Sequence, residues 1–196
     1  ITDELLWALG LFVAEGCRQR SDHDAFINIS CDDETLDRAG KIIERDLWVR
    51  PARVAATPGR SAQLIARGQL LVAVLDSLGF GEGPKAIPGW VLGLPLRRLK
   101  YFLEGYREGD GVHSGRKLAE GKRHEFSTTS EALKDDLIVA LGRFGIVPSV
   151  GRYETTFKQR TGHRRYPFWR LTVANLAPWS PLDWDGGVHQ TLNARR

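Results

Sequence analysis

The sequence contains no methionine, only two cysteines, and no apolar run near the roughly 20 residues that span a bilayer. Its start, residues 1–7, lacks the basic-then-apolar order of a signal peptide, so we expect neither a membrane-anchored nor a secreted protein. Two cysteines are too few for a disulfide framework and indicate a reducing, intracellular compartment. Because position 1 is not methionine either, the sequence predicts a piece excised from a longer precursor.

What is present is an ordinary globular composition, with 42% apolar and 27% charged residues over 196 positions. This length allows one large domain or two small ones. The net charge of +4 is unevenly distributed, since residues 1–95 carry −3 and residues 96–196 carry +7. The basic second half suggests a polyanionic partner without specifying which one.

Two apolar helical segments, residues 5–16 and 99–111, follow the same plan 95 positions apart. Each ends in a carboxylate followed by glycine, and each contains small residues four positions apart. Glycine inside a helix costs about 1 kcal/mol relative to alanine, but this spacing lets two helix backbones approach closely. We therefore expect these two helices to pack on each other through Gly10, Ala14, Gly105 and Gly109.

The segments that follow each helix repeat as well. In both halves the periodicity predicts a hairpin, a helix and a second hairpin, and only the first half shows a closing helix. The helix of the first half is capped by Asp32 or Asp33, and that of the second half by Ser130. The predicted elements are hairpins at 16–30, 49–66, 112–129 and 147–173, and helices at 33–47, 69–78 and 131–144.

On these motifs the chain resembles the LAGLIDADG (dodecapeptide) homing endonucleases. Ala8–Gly16 and Leu103–Gly111 are similar to the two family motifs, and the first is similar in form to endonuclease domains found inside inteins. The resemblance extends from Asp3 to about Asn175.

The resemblance implies an α+β fold of two pseudo-symmetric αββαββ(α) half-domains. Each half-domain would contain a curved antiparallel sheet, and the two would pack through the motif helices. The expected boundaries are 1–95 for the first half-domain, 96–176 for the second and 177–196 for a C-terminal tail.

The resemblance also implies that the acidic residue before the last glycine of each motif, Glu15 and Asp110, binds catalytic metal ions. Carboxylates at two packed helix C-termini oppose each other's charge and the helix dipoles, a cost that divalent cations would offset. Hard oxygen ligands suit Mg²⁺. The expected cofactor is two or three Mg²⁺ ions shared between the half-domains, with Ca²⁺ or Mn²⁺ able to substitute. Glu15 stands where aspartate is frequent in the family.

The segment Lys85-Ala86-Ile87-Pro88 resembles a Lys-x-Ile-Pro block of intein endonucleases, in which the lysine is catalytic. A lysine near the scissile phosphate can stabilise developing charge or help to activate water. The corresponding basic residue of the second half is left open among three candidates, Lys158, Arg165 and Arg170.

In the family the sheets lie along the major groove of duplex DNA, and the charge distribution favours the same arrangement here. The four strand regions 16–30, 50–67, 111–130 and 147–175 together carry +11, and the rest of the chain carries −7. Phosphate contact requires such a concentration of positive charge. Arg, Asn and Gln suit base reading, whereas Lys more often holds phosphate. The candidate DNA contacts are Arg18, Arg20, Asn28, Arg53, Gln63, Arg67, Arg116, Lys117, Arg123, Arg152, Lys158 and Arg170.

The sequence thus predicts a monomeric, site-specific, Mg²⁺-dependent double-strand DNA endonuclease with a long target site, located in the cytoplasm or with the nucleoid. The alternative is a LAGLIDADG-derived DNA- or RNA-binding protein without cleavage activity, such as a maturase or regulator. Protein splicing by this chain is disfavoured, because it begins Ile1-Thr2 rather than with Cys or Ser and does not end in His-Asn.

Overall fold

A computed structural model describes residues 1–21, 23–81, 83–110, 124–159 and 162–173, with the side chains of 157–159 and 162–164 left aside. These residues form two compact units. The first contains Ile1–Gly83 and Ile87–Gly109, and the second contains Pro84–Ala86 with the described residues from Asp110 onward. The half-domain boundaries expected at 95 and 176 stay a prediction, and the tail lies outside the described residues. No helix in the part of the chain described is long and apolar enough to cross a membrane.

The first unit confirms the predicted order of helices and hairpins and adds one short helix, α4. Its elements are α1 (Asp3–Glu15), β1 (Gly16–Arg20), β2 (Ala25–Cys31), α2 (Asp33–Leu47), β3 (Ala52–Val54), β4 (Ala62–Arg67), α3 (Gln69–Ser77), α4 (Gly89–Leu92) and α5 (Leu96–Asp110), of which Asp110 belongs to the second unit. The side chain of Asp32 accepts a hydrogen bond from the Thr35 amide at 2.9 Å. Asp32, rather than Asp33, is therefore the N-cap of α2.

The first sheet is antiparallel, with strand order β1-β2-β4-β3. Alternate residues of β2 and β4 are buried against α1, α2 and α3, and directly paired residues share a face. The helix face contains Arg18, Arg20, Ala25, Ile27, Ile29, Arg53, Ala62, Leu64 and Ala66. The opposite face, here called the open face, contains Cys17, Gln19, Phe26, Asn28, Ser30, Ala52, Val54, Gln63, Ile65 and Arg67.

The second unit contains β5 (His124–Thr128), α6 (Glu131–Gly142), β6 (Ser149–Gln159) and β7 (Gly162–Val173), which form a sheet of order β5-β7-β6 among the described residues. Ser130 caps α6, as predicted, by accepting a hydrogen bond from the Leu133 amide at 3.3 Å. The predicted strand at 112–118 lies outside the described residues.

The α6 helix covers one face of this second sheet, because Leu133, Leu137 and Leu141 are buried together with Phe126 and Leu171. The helix face of the second sheet contains Phe126, Thr128, Val150, Arg152, Glu154, Trp169, Leu171 and Val173. Its open face contains Glu125, Ser127, Gly151, Tyr153, Phe168, Arg170 and Thr172.

Candidate active site and nucleic-acid interface

The backbones of α1 and α5 touch, as the spacing of small residues predicts. A Cβ atom on Gly10 would lie 1.9 Å from the Phe102 carbonyl oxygen, and one on Gly105 would lie 1.8 Å from the Trp7 carbonyl oxygen. Only glycine can occupy these two positions at this separation, since each neighbour is backbone. The contact fixes the relative register of the two motif helices.

Glu15 is the last residue of α1 and is half-buried. Gly16 follows it and begins β1 directly, and a Cβ on Gly16 would lie 2.3 Å from the Phe12 carbonyl oxygen. This tight junction between helix and strand restrains the backbone of Glu15. A Cβ on Gly109 would lie 2.9 Å from Glu15 Cγ, so the Glu15 side chain lies against the last turn of α5.

Asp110 is the half-buried last residue of α5 and directly follows Gly109. Lys85 is exposed and precedes α4, and its carbonyl oxygen accepts a hydrogen bond from the Ser130 hydroxyl at 2.6 Å. Ser130 therefore caps α6 and holds the Lys85 backbone at the start of that helix. Glu15 belongs to the first unit and Lys85 and Asp110 to the second, and their common catalytic role stays a prediction.

A buried carboxyl group lies on α5 six residues before Asp110. Glu104 is 9% exposed, and its Oε1 has no hydrogen-bond partner among the described residues. Burial raises the pKa of Glu104, and the charges of Lys100 and Arg107 oppose that rise only in part. Ionised Glu104 therefore destabilises the folded state.

Replacing Glu104 with glutamine is expected to raise the melting temperature at pH 8. Because the folded pKa lies above the unfolded one, the carboxyl contributes most to stability below its unfolded pKa and loses that contribution as pH rises through the folded pKa. The difference in melting temperature between Glu104→Gln and wild type should therefore be smaller at pH 4 than at pH 8. Thermal melts at both pH values measure it, and a variant less stable at pH 8 would show that the charges of Lys100 and Arg107 outweigh burial.

Three arginines predicted as DNA contacts lie on the helix face of the first sheet. Arg18 and Arg20 both form ion pairs with Asp76 of α3, at 3.0 and 3.1 Å. Arg53 pairs with Asp33 and with Asp37 of α2, the latter at 3.3 Å. These arginines connect the sheet to its covering helices.

The other three first-half candidates, Asn28, Gln63 and Arg67, lie on the open face. Arg67 is 61% exposed and pairs with Asp24 at 2.7 Å, which restrains the guanidinium without covering it. Gln19 shares this face but is not among the predicted DNA contacts, because β1 is polar throughout and the side on which each of its residues lies cannot be inferred from apolar alternation. The pairing of Gln19 with Phe26 of β2 shows that Gln19 lies on the open face.

In the second sheet Arg152 lies on the helix face, 5.7 Å from the ring centroid of Trp169, whereas Arg170 lies on the open face. Arg165 pairs with Glu154 at 3.7 Å. Lys158 lies in β6, and nothing further is described of its side chain. Arg116, Lys117 and Arg123 lie outside the described residues.

The two cysteines form no disulfide, and no group of three or more His, Cys, Asp or Glu side chains in the described ranges is arranged to hold a metal ion. Burial raises the pKa of the Cys31 thiol to about 11.

Residues 99–176 match the family model of the LAGLIDADG-like domain. Over 97% of its length the chain is similar to the solved structure of I-DmoI in complex with DNA and Mn, with a TM-score of 0.58, 14% identity and 96% of that chain covered. The chain has the LAGLIDADG fold. The family model begins within α5, and the structural similarity extends the fold to the first motif helix, α1.

The same LAGLIDADG fold occurs in other solved structures. One is I-DmoI in complex with DNA and Ca, with a TM-score of 0.59, 14% identity, and 97% of this chain and 89% of that chain covered. Another is full-length DUF199/WhiA from Thermatoga maritima, with a TM-score of 0.57, 13% identity, and 100% of this chain but 62% of that chain covered. No curated protein sequence matches the chain.

Proposed function

We propose that the chain is a site-specific, metal-dependent double-strand DNA endonuclease that acts as a monomer on a long target site. The observation that carries the proposal is the backbone contact between α1 and α5, which sets the Glu15 side chain against Gly109, the residue before Asp110. In the proposal, the divalent cations are held by the carboxylates that end the two motif helices, Glu15 and Asp110. The homing endonuclease I-DmoI, solved with DNA and Mn, has the same fold.

The residues present fit a hard divalent cation such as Mg²⁺. Glu15 is half-buried at the C-terminus of α1, and the last turn of this helix contains no basic residue that would offset the helix dipole, as a divalent cation would. When bound, such ions activate water and stabilise the leaving oxygen of a phosphodiester. In the proposal Glu15 and Asp110 hold the ions, and the exposed Lys85 supplies positive charge to the phosphate.

We further propose that the open face of each sheet faces the duplex. Arg18, Arg20 and Arg53 would have to leave their carboxylate partners to reach DNA. The open-face side chains lie on the surface that the helices do not cover, and they include the amide and guanidinium groups that read base edges. Arg67 and Arg170 pair with carboxylates of that same surface rather than with the covering helices. We therefore rank the helix-face arginines below Asn28, Gln63, Arg67 and Arg170, and add Gln19.

Replacing Arg67 with alanine is expected to weaken DNA binding about tenfold and to reduce the slope of log K against log salt by about 1. Arg53→Ala is the matched control, since Arg53 lies on the neighbouring strand but on the helix face. It should leave the slope unchanged. Binding titrations at several salt concentrations measure both variants, and an equal loss in both would contradict the assignment of faces.

The catalytic proposal is tested with a plasmid library of randomised target sites incubated with the chain and Mg²⁺. Linear product with a recurrent cut site is expected. Duplex binding without cleavage at any site, with the same result for the Glu15→Gln and Asp110→Asn variants, would instead establish a nucleic-acid-binding protein that does not cut.

A further inference from the structure

The open face of the second sheet carries a glutamate that the expected DNA contacts do not include. Glu125 pairs with Arg170, its Oε2 lying 3.5 Å from the arginine Nε. The two residues are diagonal neighbours, because Arg170 is directly opposite Ser127 and Glu125 is opposite Thr172. Their side chains are 24% and 35% exposed, so both reach the surface that we propose faces DNA.

Two aromatic rings hold the Arg170 guanidinium in place. Its carbon lies 4.9 Å from the ring centroid of Tyr153 and 5.5 Å from that of Phe168, and these rings stack on each other at 5.6 Å. The Tyr153 ring in turn lies over Gly151, where a Cβ would come within 2.7 Å of it. Glu125, Gly151, Tyr153, Phe168 and Arg170 form a packed group, here called the Arg170 cluster.

The edge of the Arg170 guanidinium that is suited to reading a base is the one formed by its two terminal nitrogens. The closest approach of the ion pair is at Nε, which makes no hydrogen bond to any described residue, whereas the two terminal guanidinium nitrogens form a bidentate fork. That fork matches the O6 and N7 acceptors of guanine in the major groove. The arginine is thus oriented before it binds, which lowers the entropic cost of the contact.

A carboxylate on a DNA-facing surface repels phosphate unless a donor meets it. The donors that bases present in the major groove are the amino groups of cytosine and adenine, and acidic side chains are matched to cytosine N4. Glu125 would also face unfavourable acceptor–acceptor contacts at guanine O6 or thymine O4. A glutamate beside an oriented arginine therefore disfavours some base pairs in addition to favouring one of them.

We propose that Glu125 and Arg170 together read a G·C base pair in the part of the target addressed by the second sheet. Arg170 contacts guanine O6 and N7, and Glu125 accepts a hydrogen bond from cytosine N4 of the same or the adjacent base pair. Glu125 is a specificity-determining residue in this assignment. The proposal rests on the proposed DNA binding and names a feature of its substrate.

The same sheet provides a matched control on its other face. Glu154 pairs with Arg165 at 3.7 Å, and the two side chains are 63% and 78% exposed. By strand register Glu154 lies on the helix face, beside Arg152 rather than Arg170. Removing its charge changes general electrostatic attraction to DNA without touching the Arg170 cluster.

The test is a binding selection from a randomised duplex library with the full chain, in EDTA so that the DNA stays uncut, followed by titrations on the selected duplex and on random-sequence duplex. Wild type should select a G·C pair at one position in one half of the site. Glu125→Gln should lose about tenfold or more of the discrimination at that position, while its binding to random duplex stays the same or rises. Glu154→Gln should select the wild-type sequence.

A second variant separates base reading from a structural role. Arg170→Lys keeps the charge but lacks the fork, so it should lose the preference for guanine and keep the salt dependence of binding. Thermal melts confirm that each variant is folded. If Glu125→Gln selects the same sequence as wild type with the same discrimination, the inference is wrong although DNA binding stands. If wild type binds no duplex, the proposed function fails and the inference with it.

Discussion

Glutamine in place of Glu15 is expected to lower the rate of DNA cleavage at least about 1000-fold and to leave DNA affinity in EDTA unchanged within about twofold. A metal ligand acts mainly on the transition state, where several kcal/mol of charge stabilisation are lost, and each 1.4 kcal/mol is a factor of ten in rate. Asp110→Asn should behave in the same way. Single-turnover cleavage of a selected target, with binding measured in parallel, separates the two effects.

Glu108→Gln is the control for loss of a carboxylate near the end of α5. Glu108 lies two positions before Asp110 and pairs with Arg38 of α2 at 3.6 Å, so its role is to hold α5 against α2. This variant should cut within about threefold of wild type, the range of a surface ion pair worth at most about 1 kcal/mol. Equal losses in the Glu108 and Glu15 variants would show that general destabilisation, rather than metal binding, explains the Glu15 result.

Alanine at Gly105 is expected to destabilise the first unit by about 3 kcal/mol or more, which for a chain of this size lowers the melting temperature by roughly 6 to 12 °C. The added methyl group meets the Trp7 carbonyl oxygen at 1.8 Å, and backbone cannot move aside as a flexible side chain does. The helices must separate, and α1 must shift with its buried residues. Thermal or urea denaturation measures the change.

The Gly142→Ala substitution should stabilise the chain, whereas Gly105→Ala destabilises it. Gly142 is the last residue of α6, and a Cβ there has nothing within 4 Å, so the substitution gains helix propensity of up to about 1 kcal/mol without a clash. An unchanged melting temperature for Gly105→Ala would mean that α1 and α5 are not in backbone contact in solution, and the observation that carries the proposed function would be lost.

Much of the fold follows from the sequence because local signals agree with the tertiary structure. Asp32 and Ser130 provide capping oxygens directly before periodic apolar segments, and α2 and α6 begin at the next residue in both cases. Glycine inside a helix lowers its stability, and close packing of the two motif helices compensates for that cost. The structure shows this packing at Gly10 and Gly105. These signals depend on a few neighbouring residues.

The faces of the strands could not be predicted in the same way. In β1 the sequence Gly-Cys-Arg-Gln-Arg gives no apolar alternation, so the positions of Arg18 and Arg20 relative to the helices depend on the register with β2. Side-chain type alone favoured these arginines as DNA contacts, although Asp76, more than 50 positions away, pairs with both. Glu125 was not among the expected DNA contacts, because an acidic side chain on its own repels phosphate and becomes a candidate only beside Arg170.

The contact between Trp7 and Gly105 also determines when the first unit can form during synthesis. The two residues are 98 positions apart, and α1 is buried along most of its length, in part by α5. A nascent chain that ends before α5 leaves that apolar surface uncovered, however complete its first sheet is. Folding of this unit therefore waits for its last segment, α5, and closure over such a separation is slow compared with local helix formation.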